Sequence, residues 1–282
     1  MPLALILSSH VASSRVGGFV QTLALSQLKI DPVLVPTVLF GRHPGWGAPG
    51  GDPVRVDTFQ GMLDGVEANG LYGAVDLVIT GYFANGAQAR AAAMAIDKIR
   101  AAERGGAYAR KPRIIVDPVM GDDDKGLYVN AEVAEAMVAE LVPRADLITP
   151  NAWEMQRLTG TPVRDARAAR AAGRVVGKPV LVSSVRHGSD MAVVYADGPE
   201  AWVAAHARQA KAPNGTGDLL TALFAAALIE DQPISYAIAR AVGAVYETVV
   251  AAEAWGANEL PVVSMGPRLR QASSNVRIER LI

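Results

Sequence analysis

The segment GTGD, Gly215–Asp218, precedes an apolar stretch with helical character. If Asp218 begins a helix, the amides of Gly215, Thr216 and Gly217 lead into its positive end, where free N–H groups bind anions. A carboxylate there can take the proton from an attacking hydroxyl during phosphoryl transfer. The structural alternative is that Asp is a favoured N-cap and that glycine-rich turns commonly precede helices. The spacing alone supports the two interpretations about equally.

A second acidic segment, VDPVMGDDDKG, covers Val116–Gly126. Asp117 follows an apolar run that is typical of a buried strand, and a carboxylate at a strand end can hold Mg²⁺ through water. Asp122 lies a few residues further on and is a second candidate. The alternative is a solvated loop, which we accept for Asp123 and Asp124 but less readily for Asp117.

A third segment, TPNAWEM at Thr149–Met155, places Asn151 and Glu154 three residues apart where a helix is expected to start. This spacing is typical of a capping box, in which each side chain binds the other residue's backbone N–H. On this segment alone the capping box is the favoured interpretation. The functional alternative is that Glu154 points at the same metal ion as Asp117.

Two further segments combine glycine with polar or aromatic residues. In Ser8–Gly18, Ser9 and His10 precede a glycine pair that opens a helix, but no G-x-G-x-x-G is present, so a dinucleotide site is poorly supported and a polar turn remains the alternative. The Gly- and Pro-rich stretch Phe40–Gly51 contains His43. It is either a mobile flap over a small aromatic ligand or an exposed loop.

These segments follow short, continuous apolar runs, which are typical of strands covered on both faces of a parallel sheet. The predicted strands are Leu3–Ser8, Pro32–Phe40, Asp76–Thr80, Arg113–Pro118, Asp146–Pro150 and Pro179–Ser184. Ala-rich helical stretches lie between most of them, for example Ala87–Arg104, Ala131–Leu141 and Asp165–Val176. Alternating strands and helices predict a doubly wound α/β sheet, in which ligands bind outside the carboxyl ends of the strands.

The pattern changes after Pro179. Met191–Ala196 and Ala201–His206 flank a turn and predict an antiparallel hairpin at one edge of the sheet. Helices are expected at about Asp218–Glu230 and Ser235–Trp255, whereas the tail from residue 260 has no clear pattern. The predicted fold is therefore a single α/β domain, 1–282, with a mostly parallel sheet and helices on both faces.

The composition of the chain excludes several classes of function. The chain has 282 residues, of which 50% are hydrophobic, and its net charge is −1, so no basic surplus favours nucleic acid or anionic lipid. With no cysteine, disulfides and thiolate metal sites are excluded. The N-terminus lacks a basic signal-peptide region. The run Leu219–Ile229 is well short of the ~20 residues that span a bilayer, so we expect a soluble, cytoplasmic protein without a membrane or nucleic-acid partner.

Taken together and in this order, six segments resemble the ribokinase superfamily and, within it, the pyridoxal kinases. They are SSHV at Ser8–Val11, TVLFGRHPGWG at Thr37–Gly47, TGYF at Thr80–Phe83, DPVMGD at Asp117–Asp122, TPNAWE at Thr149–Glu154 and GTGD at Gly215–Asp218. The last segment marks the superfamily, and the first three point to the vitamin B6 branch. The resemblance covers roughly residues 3–255.

The resemblance implies ATP-dependent phosphorylation of the 5′-hydroxymethyl group of pyridoxal, pyridoxine or pyridoxamine, which gives pyridoxal 5′-phosphate from pyridoxal. Asp218 would be the base, and Gly215, Thr216 and Gly217 would form the anion hole. The vitamin would bind at Asp218 and at Ser9, which would hydrogen-bond the pyridine ring, with Val38, His43 and Tyr82 lining it.

The same resemblance implies that ATP and Mg²⁺ are required, with a monovalent cation, K⁺ or Na⁺, left open. Asp117 and Glu154 would organise Mg²⁺ and phosphate, and Asp122 and Thr149 would lie near a metal or monovalent cation. Further ATP contacts would come from Thr216, Ser183 and Ser184. The resemblance also implies a homodimer.

The sequence departs from the family pattern in two places. Pro44 follows the flap histidine where many members have Thr, and Ser183 stands where some have Lys. Two alternatives therefore stay open beside a pyridoxal kinase. One is a hydroxymethylpyrimidine kinase of thiamine synthesis, and the other is a non-catalytic homologue that binds vitamin B6 or nucleotide.

Overall fold

The computed structural model describes residues 1–105 and 110–282. Its main feature is a ten-stranded sheet, accompanied by a separate two-stranded ribbon, β6–β7. The strands are β1 (Leu3–Val11), β2 (Asp31–Phe40), β3 (Gly51–Pro53), β4 (Leu77–Thr80), β5 (Arg113–Val116), β6 (Gly121–Asp122), β7 (Gly126–Leu127), β8 (Leu147–Ile148), β9 (Val180–His187), β10 (Asp190–Asp197), β11 (Glu200–His206) and β12 (Val276–Arg280).

The helices divide between the two faces of this sheet. They are α1 (Gly17–Gln27), α2 (Val56–Ala68), α3 (Gly86–Ala101), α4 (Ala131–Ala136), α5 (Ala152–Thr159), α6 (Ala166–Val176), α7 (Thr216–Ile229) and α8 (Ile234–Ala254). Buried side chains of α2 to α6 share one hydrophobic core, and those of α1, α7 and α8 share a second core on the other face. Short 3₁₀ turns and one π-helical turn, Met137–Leu141, complete the connections.

The sheet order is β12-β11-β10-β9-β8-β5-β4-β1-β2-β3. The six central strands from β9 to β2 run parallel, and the outer pairs are antiparallel. Because β1 pairs with both β2 and β4, the chain winds outward in two directions from it. Such a switch point leaves a crevice at the carboxyl ends of the strands, where ligands of α/β proteins bind.

The strand β1 shows why the central strands have continuous apolar sequences. Leu5 and Leu7 belong to one hydrophobic core, and Ala4 and Ile6 belong to the other. Successive side chains of a strand point to opposite faces, so a strand covered on both faces must be apolar at every position. The predicted doubly wound, mostly parallel sheet with helices on both faces is confirmed.

The edge of the sheet differs from the prediction. The β10–β11 hairpin is present, but β12, from the tail that had no clear pattern, pairs with β11 and forms the outer strand. In addition, β9 continues to His187, past the predicted end at Ser184. A register shift against β10 and a left-handed backbone at Ser184 (φ 59°) let the strand bend and go on. The short edge strand β3 was also missed.

The helix predicted at Ser235–Trp255 is present as α8, one residue earlier at each end. The 21 residues of α8 suffice, by length and composition, to cross a membrane, but half of the most apolar window (50%) is buried inside the protein. It contacts α7, β11 and β12. Core packing against these elements accounts for its composition, as expected for the buried helix of a layered α/β fold.

Candidate active site

A cavity of about 460 Å³ opens at the carboxyl end of the sheet, beside the start of α7. Its walls are Ser9, Val11, Val16, Gly17, Val38, Phe40, His43, Pro44, Gly45, Tyr82, Val119, Asp122, Lys125, Tyr128, Asn214, Gly215 and Asp218. A larger cavity, of about 1060 Å³, lies at the opposite end of the strands and includes paired charges such as Arg100 and Asp146. We place the candidate site at the smaller cavity, because the carboxyl-end crevice and the acidic groups coincide there.

The start of α7 depends on Gly215. This residue is the N-cap, with φ at 90°, and an added Cβ would lie 2.1 Å from the Arg15 carbonyl oxygen. Only glycine combines that backbone conformation with so close an approach. The helix begins at Thr216, two positions before the predicted start at Asp218. Asp218 therefore lies in the first turn, beside the unpaired N–H groups of the helix end.

The Asp218 carboxylate is held by a backbone amide from another helix. Its Oδ2 accepts a hydrogen bond of 2.9 Å from the Gly17 N–H, at the first residue of α1. Burial raises the pKa of Asp218 to about 6, although the hydrogen bonds from the Gly17 amide and from its own amide act in the opposite direction. A carboxyl group with this pKa is ionised at neutral pH and can accept a proton.

Gly17 is a site residue that the sequence interpretation missed, since Ser8–Gly18 could also be a polar turn. Its φ is 57°, and an added Cβ would lie 2.0 Å from the Ser9 Oγ. The glycine thus lets α1 begin directly against Ser9 and direct its first amide at Asp218. The glycine pair that opens a helix was the available signal, but its partner is 201 residues away in the chain.

Asp117 forms the centre of an acidic cluster behind the cavity. Its side chain is buried, and burial together with the charges of Glu154 and Asp218 raises its pKa well above the usual range. The Thr221 Oγ1 lies 3.2 Å from the Asp117 Oδ2 and 2.9 Å from the Thr149 Oγ1. Both contacts are satisfied if Thr149 donates to Thr221 and Thr221 donates to Asp117. Thr221 was not predicted from the sequence.

Glu154 confirms the capping-box interpretation of the TPNAWE segment, whereas its role toward a metal ion stays a prediction. It completes a capping box with Asn151 at the start of α5, and its Oε2 accepts from the Asn151 N–H at 2.9 Å. Its Oε1 accepts from the amides of Met120 (2.8 Å) and Gly121 (3.3 Å). Burial raises the pKa of Glu154 to about 7, although these amides lower it. The capping carboxylate therefore also fixes the loop that follows Asp117.

The ribbon β6–β7 carries Asp122 to the cavity. The Asp122 Oδ1 accepts from the Lys125 backbone N–H at 2.7 Å, which closes the turn of the ribbon. Lys125 and Tyr128 line the same wall, and neither was singled out from the sequence. The DDDK run is thus partly a cavity wall and partly, at Asp123 and Asp124, exposed loop.

The predicted vitamin-binding residues come together. Ser9, Val38, His43 and Tyr82 all line the cavity that contains Asp218. The His43 Nδ1 accepts from the Gly45 N–H at 3.1 Å, which shapes the 3₁₀ turn Pro44–Trp46. Burial and the nearby Lys125 ammonium lower the pKa of His43, whereas Glu259 raises it. The lowered pKa favours the neutral form of the His43 imidazole.

Other predicted residues lie outside this cavity. They are Asp117, Thr149, Glu154, Ser183, Ser184, Thr216 and Gly217, none of which is among its lining residues. Ser183 pairs with Asn151 beside the start of α5, and its amide donates to the Pro150 carbonyl at 3.0 Å. Asp117 directly follows β5 and Thr149 directly follows β8, and Ser183 and Ser184 lie within the neighbouring strand β9. This is the arrangement expected if a second ligand binds along the same edge of the sheet.

Within the described part of the chain, no three acidic or histidine side chains come close enough to hold a metal ion by themselves. Mg²⁺ is commonly bound by one or two carboxylates together with substrate phosphates and water. The buried Asp117 carboxylate, close to two other acids, suits such a cation because a positive charge would relieve their repulsion.

The chain is similar to vitamin B6 kinases along its length. A family model described as phosphomethylpyrimidine kinase matches residues 79–263. A pyridoxine/pyridoxal/pyridoxamine kinase of Bordetella avium is 31% identical, with 96% of this chain and 92% of the relative covered. A pyridoxal kinase of Corynebacterium diphtheriae is 28% identical, with coverage of 98% and 99%.

The chain is also similar to solved structures of pyridoxal kinases. The pyridoxal kinase of Leishmania donovani in complex with ADP and pyridoxine has a TM-score of 0.90 and 26% identity, with 99% of each chain covered. A putative phosphomethylpyrimidine kinase of Bacteroides thetaiotaomicron has a TM-score of 0.88 but only 18% identity, so it supports the fold alone.

The contact between Gly17 and Ser9 can be tested by Gly17→Ala. The new methyl group would meet Ser9, and the backbone would stay in a left-handed conformation, so we expect unfolding free energy to fall by about 1–3 kcal/mol. Urea denaturation measures this change. The control is Gly61→Ala in α2, where an added Cβ meets open space and stability should stay the same or rise by up to about 1 kcal/mol. Equal stability of the two variants would contradict the proposed packing.

Proposed function

Since the chain belongs to the pyridoxal kinase family, we infer that it catalyses the ATP-dependent phosphorylation of the 5′-hydroxymethyl group of a vitamin B6 vitamer. The observation that carries this inference is the position of Asp218. Its ionisable carboxylate lies in the first turn of α7 and lines a cavity shared with the flap and with the end of β1. One place therefore offers a base and an anion-binding helix end to a small ligand.

Asp218 is the proposed base. An alcohol is a poor nucleophile until its proton is removed, and a carboxylate within reach can take that proton as the bond to phosphorus forms. The hydrogen bond from the Gly17 amide fixes one carboxylate oxygen. Fixing the carboxylate reduces the reorganisation needed when the alcohol approaches.

The amides of Gly215, Thr216 and Gly217 are the proposed anion hole. They precede or open α7, so their N–H groups have no partner within the helix, and the helix dipole adds a positive potential. Negative charge on the transferred phosphoryl group is stabilised by such preorganised donors. The tight packing of Gly215 against Arg15 keeps this turn in place.

For the nucleotide side we propose Asp117, Thr149, Glu154, Ser183, Ser184 and Thr216, with Asp117, Asp122 and Glu154 organising Mg²⁺. Mg²⁺ supplies charge neutralisation for the phosphates. Asp117 is the best-placed ligand, because its buried carboxylate is surrounded by like charge. Both Glu154 oxygens already accept backbone hydrogen bonds, so we propose that Glu154 positions the loop after Asp117. A site for K⁺ or Na⁺ near Thr149 and Asp122 remains a proposal.

We propose that the vitamin ring lies between the β1 end and the flap. Ser9 would hydrogen-bond the ring, and Val38, His43 and Tyr82 would pack around it, since all four face one cavity. The flap would exclude water and so protect ATP from hydrolysis. Pro44 begins the flap's 3₁₀ turn, where its fixed φ suits the first position, so this departure is compatible with an ordered flap.

Of the two alternatives, a hydroxymethylpyrimidine kinase is the nearer one, because the matching family model carries the description phosphomethylpyrimidine kinase. The relatives that match almost the full chain are vitamin B6 kinases, however. A non-catalytic homologue would not need an ionisable Asp218 at the cavity. We further propose that residues 1–282 act as one kinase domain, which is supported by the continuous sheet that includes β1 and β12. The sequence resemblance supports the proposal of a cytoplasmic homodimer.

Substrate choice is tested by measuring ADP release with pyridoxal, pyridoxine and hydroxymethylpyrimidine side by side. We expect kcat/KM for a B6 vitamer to exceed that for the pyrimidine by at least about tenfold, the discrimination that an apolar pocket gives between ligands of slightly different size. Val38, His43 and Tyr82 form the proposed ring-binding wall. Preference for the pyrimidine would favour the thiamine-pathway alternative. Vitamer binding by calorimetry without ADP release would favour a non-catalytic homologue.

Replacing the base tests the chemistry. Asp218→Ala should lower kcat by about 10²–10⁴-fold, the usual contribution of a general base, and leave the Kd for ATP near the wild-type value. Steady-state kinetics and calorimetry measure the two quantities. The control is Asp123→Asn, an exposed acid in the β6–β7 turn, which should retain wild-type turnover. Wild-type turnover in Asp218→Ala would remove the mechanism.

The pH profile gives an independent test. Burial raises the pKa of Asp218 to about 6, so the carboxyl is protonated and unable to accept a proton below that pH. We expect kcat/KM to fall about tenfold per pH unit on the acid side, from pH 6 rather than from the pH near 4 typical of a free aspartate. The residual activity of Asp218→Asn should not show this fall below pH 6. If that variant shows the same fall, the titration belongs to another group.

A further inference from the structure

The loop between β1 and α1, residues 12–16, connects the candidate base to the C-terminal segment. The Arg15 backbone N–H donates a 2.6 Å hydrogen bond to the Glu259 Oε2, a residue 244 positions away. Glu259 follows α8 and has no place in the mechanism described so far. We propose that Glu259 is a positioning residue for Asp218 and acts through the Arg15 backbone.

The Arg15 backbone is held on two sides. Its N–H binds Glu259, and its carbonyl oxygen packs against Gly215 so closely that an added Cβ there would lie 2.1 Å away. Two residues further on, the Gly17 amide donates to the Asp218 carboxylate. The chain of contacts therefore runs from Glu259 through Arg15 to both the N-cap of α7 and the base.

The same loop also binds Gly41, where the flap begins. The Ser13 amide and hydroxyl both donate to the Gly41 carbonyl oxygen, at 3.0 and 2.6 Å. Release of the Glu259 hydrogen bond would therefore free a loop that contacts the flap, the anion-binding turn and Asp218. Displacing a catalytic group by about 1 Å costs about a hundredfold in rate. Loss of the Glu259 hydrogen bond should therefore affect turnover if it lets this loop shift by a similar distance.

Glu259 could instead act through its charge, because it raises the pKa of His43 in the flap. Two substitutions distinguish these roles. Glu259→Gln removes the charge but keeps a side-chain oxygen that can accept from the Arg15 amide. Glu259→Ala removes both, and Glu253→Ala, an exposed acid near the end of α8, is the matched control.

This inference rests on the proposed kinase function, so two measurements are combined. In steady-state assays with a B6 vitamer and ATP, Glu259→Ala should lower kcat by about 10- to 100-fold and change each KM by less than about threefold. Glu259→Gln should restore kcat to within about twofold of wild type, and Glu253→Ala should match wild type. Wild-type kcat in Glu259→Ala, or a Gln variant as impaired as the Ala variant, would overturn the proposal.

Hydrogen exchange by mass spectrometry tests the contact without relying on activity. Peptides covering residues 12–18 should exchange faster in Glu259→Ala than in wild type or Glu259→Gln, whereas peptides from the central strands should be unchanged. Unchanged exchange at residues 12–18 would overturn the role of the hydrogen bond, even if the chain proved inactive toward B6 vitamers. Faster exchange throughout the chain would indicate global destabilisation and would also overturn it.

Discussion

The candidate site depends on the meeting of two helix starts. The first amide of α1, at Gly17, donates to the Asp218 carboxylate in the first turn of α7, and Gly215 packs against the loop that leads into α1. Both glycines adopt backbone conformations that side chains disfavour, and both would collide with neighbours if they carried a Cβ. This close packing brings a carboxylate and several unpaired amides to one wall of the cavity.

The acidic cluster around Asp117 carries an electrostatic cost that a bound cation would relieve. Asp117 lies near both Glu154 and Asp218, and burial raises the pKa of all three carboxyl groups. Like charges held this way favour protonation unless a cation compensates them. A site that binds Mg²⁺ with ATP phosphates would use this arrangement, because the incoming cation relieves the repulsion as it binds.

Glu154 shows how one carboxylate can order two neighbouring elements of the fold. Its capping box starts α5, and the same carboxylate binds the Met120 and Gly121 amides after the Asp117 strand. The sequence predicted either a capping box or a metal ligand for this segment, and it did not predict the contact with the Met120 and Gly121 amides. The cap and this contact coexist because a carboxylate has two oxygens with several acceptor positions, so it can cap a helix and order a neighbouring loop.

The layered fold, the central strands and the segments that contain Asp117, Glu154 and Asp218 could be predicted from the sequence, because apolar periodicity and local turn chemistry are encoded within short stretches. It did not reveal β12, whose pairing with β11 is a long-range contact, nor the continuation of β9 past Ser184. The hydrogen bonds from the Gly17 amide to the Asp218 carboxylate and from the Arg15 amide to Glu259 became visible only in the folded chain. Each of these hydrogen bonds joins residues more than two hundred positions apart. A short sequence pattern cannot encode a contact over that separation.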